Sequence, residues 1–147
     1  MSGPTVDWAA LASDFSPDGS LRDIHILDST REDWQAILDA VRHAGFSLRF
    51  LVDSDPAQLP DRVADIFAMQ EHNALSLQIG SSGVWVHCHS FADYEIEFNI
   101  DPREVSGQDG LDAVVGFMKM LAETVNRAVV LTHENTPAAV ILRCPAG

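Results

Sequence analysis

Basic residues are scarce in this chain. Lys and Arg together number 9 against 22 Asp and Glu, for a formal net charge of −13 over 147 residues. A surface of that sign repels phosphate backbones and anionic membranes and attracts basic proteins or cations, so nucleic-acid and membrane partners are not expected. So few scattered cations also argue against a phosphate-binding active site. Cysteine is nearly absent: only Cys88 and Cys144 occur, with neither CxxC nor zinc-ligand spacing, which is the pattern of buried free thiols in a reducing compartment. Long apolar runs are missing too, the longest being residues 113–118, far short of a membrane span. Residues 1–15 carry acids and no basic stretch ahead of their short apolar run, so no secretory signal is read there. The expected location is the cytoplasm. No Gly-rich phosphate loop, nucleophile elbow, deaminase or metalloprotease pattern is found. The chain therefore reads as leaning away from catalysis, with no catalytic residue and no cofactor assigned.

The apolar content is ordinary, 46% against 21% charged, and the length suits one domain with a real core. Residues 5–12 suggest a short helix anchored by Val6, Trp8 and Leu11, and residues 21–28 a strand with Ile24 and Ile26 on one face and Asp23 and His25 on the other. Ser29 and Glu32 form a capping-box pattern opening a helix to about Ala44, with Trp34, Ile37, Leu38 and Val41 on its apolar stripe. Residues 46–52 alternate as a strand, and Pro60 suits the first turn of a second helix using Val63, Ile66, Phe67 and Gln70. Residues 74–79 read as a strand and 80–83 as a turn. A third helix, about 108–126 and capped by Ser106 with Asp109, carries a broad stripe of Leu111, Val114, Val115, Met118, Leu121 and Val125. Residues 128–132 form a strand, 133–137 a loop and 140–143 a short last strand. The order predicts a single α+β domain over residues 1–147: one antiparallel or mixed sheet of five to seven strands, about three helices on one face, the other face largely open.

The richest chemistry lies in residues 84–99, VWVHCHSFADYEIEFN. Parity sorts this stretch into two faces. Burying both apolar sets together places Cys88 opposite Tyr94, Val86 opposite Ile96 and Val84 opposite Phe98; a one-residue slip would drive three carboxylates into the core. His87 then faces Glu95, His89 faces Asp93 and Trp85 faces Glu97, each histidine gaining a carboxylate that should raise its pKa. Trp85, His87, His89, Asp93, Glu95 and Glu97 are the candidate binding residues. The outward acids Asp93, Glu95, Glu97, Asp101 and Glu104 stand against Arg103 alone, so a basic partner would be steered to this edge. A divalent-metal site on His87, His89 and Glu95 is the alternative, within a metal-dependent enzyme or a metal-binding protein, although parallel side chains on one sheet face converge poorly. Pairing of two copies across the open face through Trp85 is a third expectation.

Other candidates are weaker. His133-Glu134-Asn135 lies in a loop, where functional groups often sit, yet Pro137 rules out an HExxH helix. Asp53-Ser54-Asp55 lacks the glycine and the closing glutamate of a calcium loop. In size, acidity and single-domain α+β character the chain is similar to bacterial immunity proteins, which neutralise basic toxin nucleases. That similarity rests on size and charge, with no family motif, and implies a small non-catalytic module that neutralises or sequesters a basic protein.

Overall fold

A computed structural model describes residues 6–92 and 95–147. It is an α+β fold built on one eight-stranded antiparallel sheet in the order β3-β2-β4-β5-β6-β1-β7-β8. The strands are β1 (Arg22–Ile26), β2 (Ser47–Val52), β3 (Asp55–Pro56), β4 (Leu75–Ser81), β5 (Val84–Cys88), β6 (Ile96–Ile100), β7 (Val129–His133) and β8 (Thr136–Cys144). Among the described residues four α-helices accompany them: α1 (Trp8–Leu11), α2 (Arg31–His43), α3 (Val63–Gln70) and α4 (Gln108–Val125). Eight strands and four helices exceed the expected five to seven and three. The surplus comes from the two-residue β3 and from α1, the short helix suggested over residues 5–12 but not counted among the three, a single turn continued by a 3-10 turn, Ala12–Phe15. No helix among the described residues is long and apolar enough to cross a membrane.

Alternation along each strand decides which face meets the helices. Ile24 and Ile26 of β1, Leu77 and Ile79 of β4, Val84 and Val86 of β5, and Ile96, Phe98 and Ile100 of β6 are buried in one core. Against them lie Trp34, Ile37, Leu38 and Val41 of α2, Val63 and Ile66 of α3, and Leu111, Val114, Phe117, Met118 and Leu121 of α4. Full burial of each such side chain contributes about 1.5–3 kcal/mol, so α4 and its wide stripe hold the layer together. Trp34 is 0% exposed, lies edge-on to Phe98 with ring centroids 5.8 Å apart, and packs on Phe91 at 5.0 Å.

Helix ends differ in detail from the sequence reading. The α2 start is set by Thr30, whose N–H donates to Asp33 Oδ2 at 2.8 Å, not by Ser29 and Glu32. Ser29 is instead buried, with no hydrogen-bond partner for its hydroxyl among the described residues. Helix α3 opens at Val63 rather than at Pro60, because Gln35 of α2 accepts the Val63 N–H at 2.8 Å and donates to Asp61 O. Helix α4 has Gly107 at its N-cap with no side-chain cap, and Gln108 reaches back to Val6 O while accepting the Trp8 N–H. It closes on Asn126 in the left-handed region, φ 53°.

Two turns are tighter than expected. Strand β4 runs through Gly80 to Ser81, leaving Ser82 and Gly83, both at positive φ, as the two-residue hairpin loop that matches strand twist. Residues 133–137 are no long loop: Glu134 and Asn135 turn the chain directly into β8, which pairs along β7 with shifts at Leu131–His133. Such irregularities increase local twist.

The register of β6 needs the largest correction. Val86 lies opposite Ile100 and His87 opposite Asn99, so neither Val86–Ile96 nor His87–Glu95 is a pair, and Trp85 does not face Glu97. The cause is Phe91. Its ring belongs in the core against Trp34, and Trp34 Nε1–H donates to Ala92 O at 2.8 Å while Gln70 clamps both backbone groups of Phe91. These contacts draw residues 89–92 out of the strand, and β6 begins only at Ile96. Parity survives because the displacement is even, so inward residues remain inward. The pairs proposed for Tyr94 and Asp93 lie outside the described residues.

Candidate functional site

The sheet face away from the helices carries the polar parity, and it divides into two parts. On the β4–β5 side lie Arg49, Gly80, Trp85, Gln78 and His87, in register across β2, β4 and β5. Trp85 is half-buried, not free. Its ring lies over Gly80, and the Arg49 guanidinium sits 4.7 Å from the ring centroid on the same face. The Trp85 N–H, beyond the end of the β5–β6 ladder, donates to Glu104 Oε1 at 2.8 Å. His87 and the exposed His89 stack, centroids 6.0 Å apart and planes within 10°. Burial, then the neighbouring His89, pushes the His87 pKa below its ordinary value, although Glu104 and Asp101 pull the other way. This reverses the expectation that a facing carboxylate would raise it: the residue opposite is Asn99. On the buried parity, Cys88 is a thiol that burial pushes up to about 12, which makes it unreactive at neutral pH.

The other part is centred on β1 and holds most of the carboxylates. Strand β1 lies between β6 and β7, with His25 opposite Glu97 on one side and Val130 on the other, and Asp23 opposite Asn99 and Thr132. Asp23 is only 2% exposed. Its Oδ1 accepts from Asn99 Nδ2 at 2.7 Å and its Oδ2 from the Asn135 N–H at 3.0 Å. The β7–β8 turn is folded onto β1 by that bond and by Glu134, which accepts the Leu21 N–H at 2.8 Å. The open face is thus narrower than expected, since Asp23, Val130 and Thr132 are all buried on it.

One imidazole stands among these acids. His25 Nε2 is 3.4 Å from Glu97 Oε1 and 3.9 Å from Asp23 Oδ2, and Nδ1 is 3.9 Å from Glu95 Oε1. Burial and the like charges of Asp23, Glu95 and Glu134 push the Glu97 carboxyl above its ordinary pKa, with His25 opposing them. Among the described residues, the carboxylates paired with Arg are Asp18, Asp33 and Asp101, none of them on this patch.

The candidate residues are therefore only partly brought together. Glu95 and Glu97 join His25, while Trp85, His87 and His89 lie on the far side of β6; Asp93 is outside the described residues. The His87, His89 and Glu95 trio does not converge. Among the described residues, the group whose donor atoms lie within 4.8 Å of one another is Asp23, His25 and Glu97. Asp23 and His25 share a face of their strand in the sequence, but nothing local tells that this strand lies beside β6. His133 bonds Asp14 Oδ1 at 3.1 Å, whereas Asn135 reaches the site through its backbone. Comparison of the chain with family models, curated proteins and solved structures finds no match in any of the three.

Proposed function

We propose that this chain is a small non-catalytic binding module that neutralises or sequesters a basic protein partner through its polar sheet face. The observation supporting this is the charge imbalance around β1 and β6: Glu95, Glu97 and Asp23 surround a single imidazole, Glu134 adds its charge near Glu97, and no Arg or Lys among the described residues is salt-bridged to them. Such a patch on a chain of net charge −13 accelerates encounter with a basic surface and selects against acidic ones. Trp85, steadied by Gly80 and Arg49 across β6 from the patch, supplies an aromatic on the same sheet face of the kind that anchors interfaces. The likeness to immunity proteins enters as an analogy of size and charge.

The test is capture from lysate of the host at low salt, elution by salt, and repetition with charge-reversed variants. A basic protein released by salt, lost with Glu95→Lys and retained with Glu123→Lys on α4, is the expected result. Capture that is indifferent to Glu95→Lys, or no capture of a basic protein at all, refutes the reading.

A further inference from the structure

The Asp23–His25–Glu97 group has properties that a solvated acidic patch lacks. Two of its donors come from alternate positions of β1 and the third from the residue directly opposite on β6, so the backbone ladder fixes their spacing. Donors sharing one tetrahedral ion at bond lengths near 2.1 Å are about 3.4 Å apart. His25 Nε2 and Glu97 Oε1 already have that separation, at 3.4 Å, and Asp23 Oδ2 is 3.9 Å from the same nitrogen, within reach of a small side-chain adjustment.

The surroundings supply a second layer. Metal-bound carboxylates are themselves held by hydrogen bonds. Asp23 is fixed by Asn99 and by the Asn135 N–H, each of which leaves a lone pair on its oxygen. The His25 side chain is 16% exposed, and its ring nitrogens lie 3.4–3.9 Å from carboxylate oxygens of Asp23, Glu95 and Glu97. Charge argues the same way. An imidazolium would offset one negative charge among Asp23, Glu95, Glu97 and Glu134, whereas a divalent ion offsets two and leaves the imidazole neutral, the form in which it ligates.

We propose that Asp23, His25 and Glu97 bind one divalent metal ion of borderline softness, zinc being the representative, with its remaining coordination open to water. One imidazole with two carboxylates suits zinc better than calcium, which takes only oxygen ligands. Three protein ligands with an open position is also the arrangement of sites that do more than brace a fold. The inference shares carboxylates with the partner reading but does not rest on it, and the two tests are separable: neither Glu95→Lys nor Glu123→Lys removes a ligand.

The experiment is calorimetric titration of the chelator-stripped full chain with Zn²⁺ alone near pH 7, with His ring resonances followed in parallel. The expected result is one equivalent bound, with the His25 ring signals shifting. Affinity should fall at least 100-fold in His25→Ala and about 10–100-fold in Asn99→Ala, which removes a support of Asp23 rather than a ligand. His87→Ala should leave it unchanged. Should His25→Ala prove poorly folded, Glu97→Gln retains size and polarity and should weaken binding at least tenfold. No binding, binding insensitive to His25→Ala and Glu97→Gln, or binding lost with His87→Ala overturns the assignment.

Discussion

The contact between Gly80 and Trp85 yields a prediction of sign. A Cβ added at Gly80 would lie 2.8–2.9 Å from three carbons of the Trp85 ring. Those atoms are the far end of a side chain, so Gly80→Ala moves the ring rather than the sheet. The displaced indole gives up one covered face, about 50 Å² or roughly 1.2 kcal/mol, and the Arg49 contact at 4.7 Å, another ~0.5 kcal/mol. Against this, alanine stabilises a strand interior over glycine by about 0.5–1 kcal/mol. In the wild-type background the substitution should therefore destabilise by about 1 kcal/mol. With Trp85→Ala already present the obstacle is gone, and the same substitution should stabilise by about 0.5–1 kcal/mol. Urea denaturation of the four members of this double-mutant cycle measures both values, and acrylamide quenching of Trp85 fluorescence in a Trp8→Phe background reports the ring's release. A Gly80→Ala effect of the same sign in both backgrounds refutes the reasoning.

Two other perturbations follow from buried polar groups. Arg22 is 1% exposed and donates to Asp14 O, Ser16 O and Leu21 O, tying the segment that follows α1 to the end of β1. Lysine cannot reproduce that fork, so Arg22→Lys should cost about 3 kcal/mol in urea denaturation, and a loss below ~1 kcal/mol contradicts this role. His87 has a folded pKa below the ordinary 6.5, so above that pH it is neutral in both states and contributes no pH dependence. As the pH falls through 6.5 the unfolded chain takes up the proton first, and stability declines until the folded-state pKa is passed. His87→Gln should flatten that acid limb of the stability profile. An NMR titration placing His87 above 6.5 would show that Glu104 and Asp101, not burial and His89, dominate its environment.

Parity was legible because it is local. Which side chains of β1, β4, β5 and β6 face the core follows from alternation and from the cost of burying carboxylates, and the apolar stripes of α2 and α4 follow from helical spacing. Pairing was not legible to the same degree. Phe91 has the parity of His87 and His89, and only its tertiary fit against Trp34 shows that the chain leaves the strand there. The Asn135 turn onto Asp23 and the Gln35 cap of Val63 likewise depend on groups far away in sequence, with no local signal.

The consequence for the site is a change of partner rather than of chemistry. The even displacement of β6 keeps Glu97 outward, with Glu95 beside it, as the sequence implies. What changes is the imidazole they meet. His87 and His89 are left beside an amide and each other, and the carboxylates turn to His25 on a strand whose bond from Asp23 to Asn99 spans 76 residues. A histidine stacked on its neighbour and facing an amide has no ligand set around it; one set among three carboxylates, with a fourth close by, does. His25 is therefore the residue on which the two readings of this face diverge. A basic partner needs the carboxylates and not the imidazole, so His25→Ala should leave salt-sensitive capture intact, while a bound ion needs the imidazole itself and should be lost.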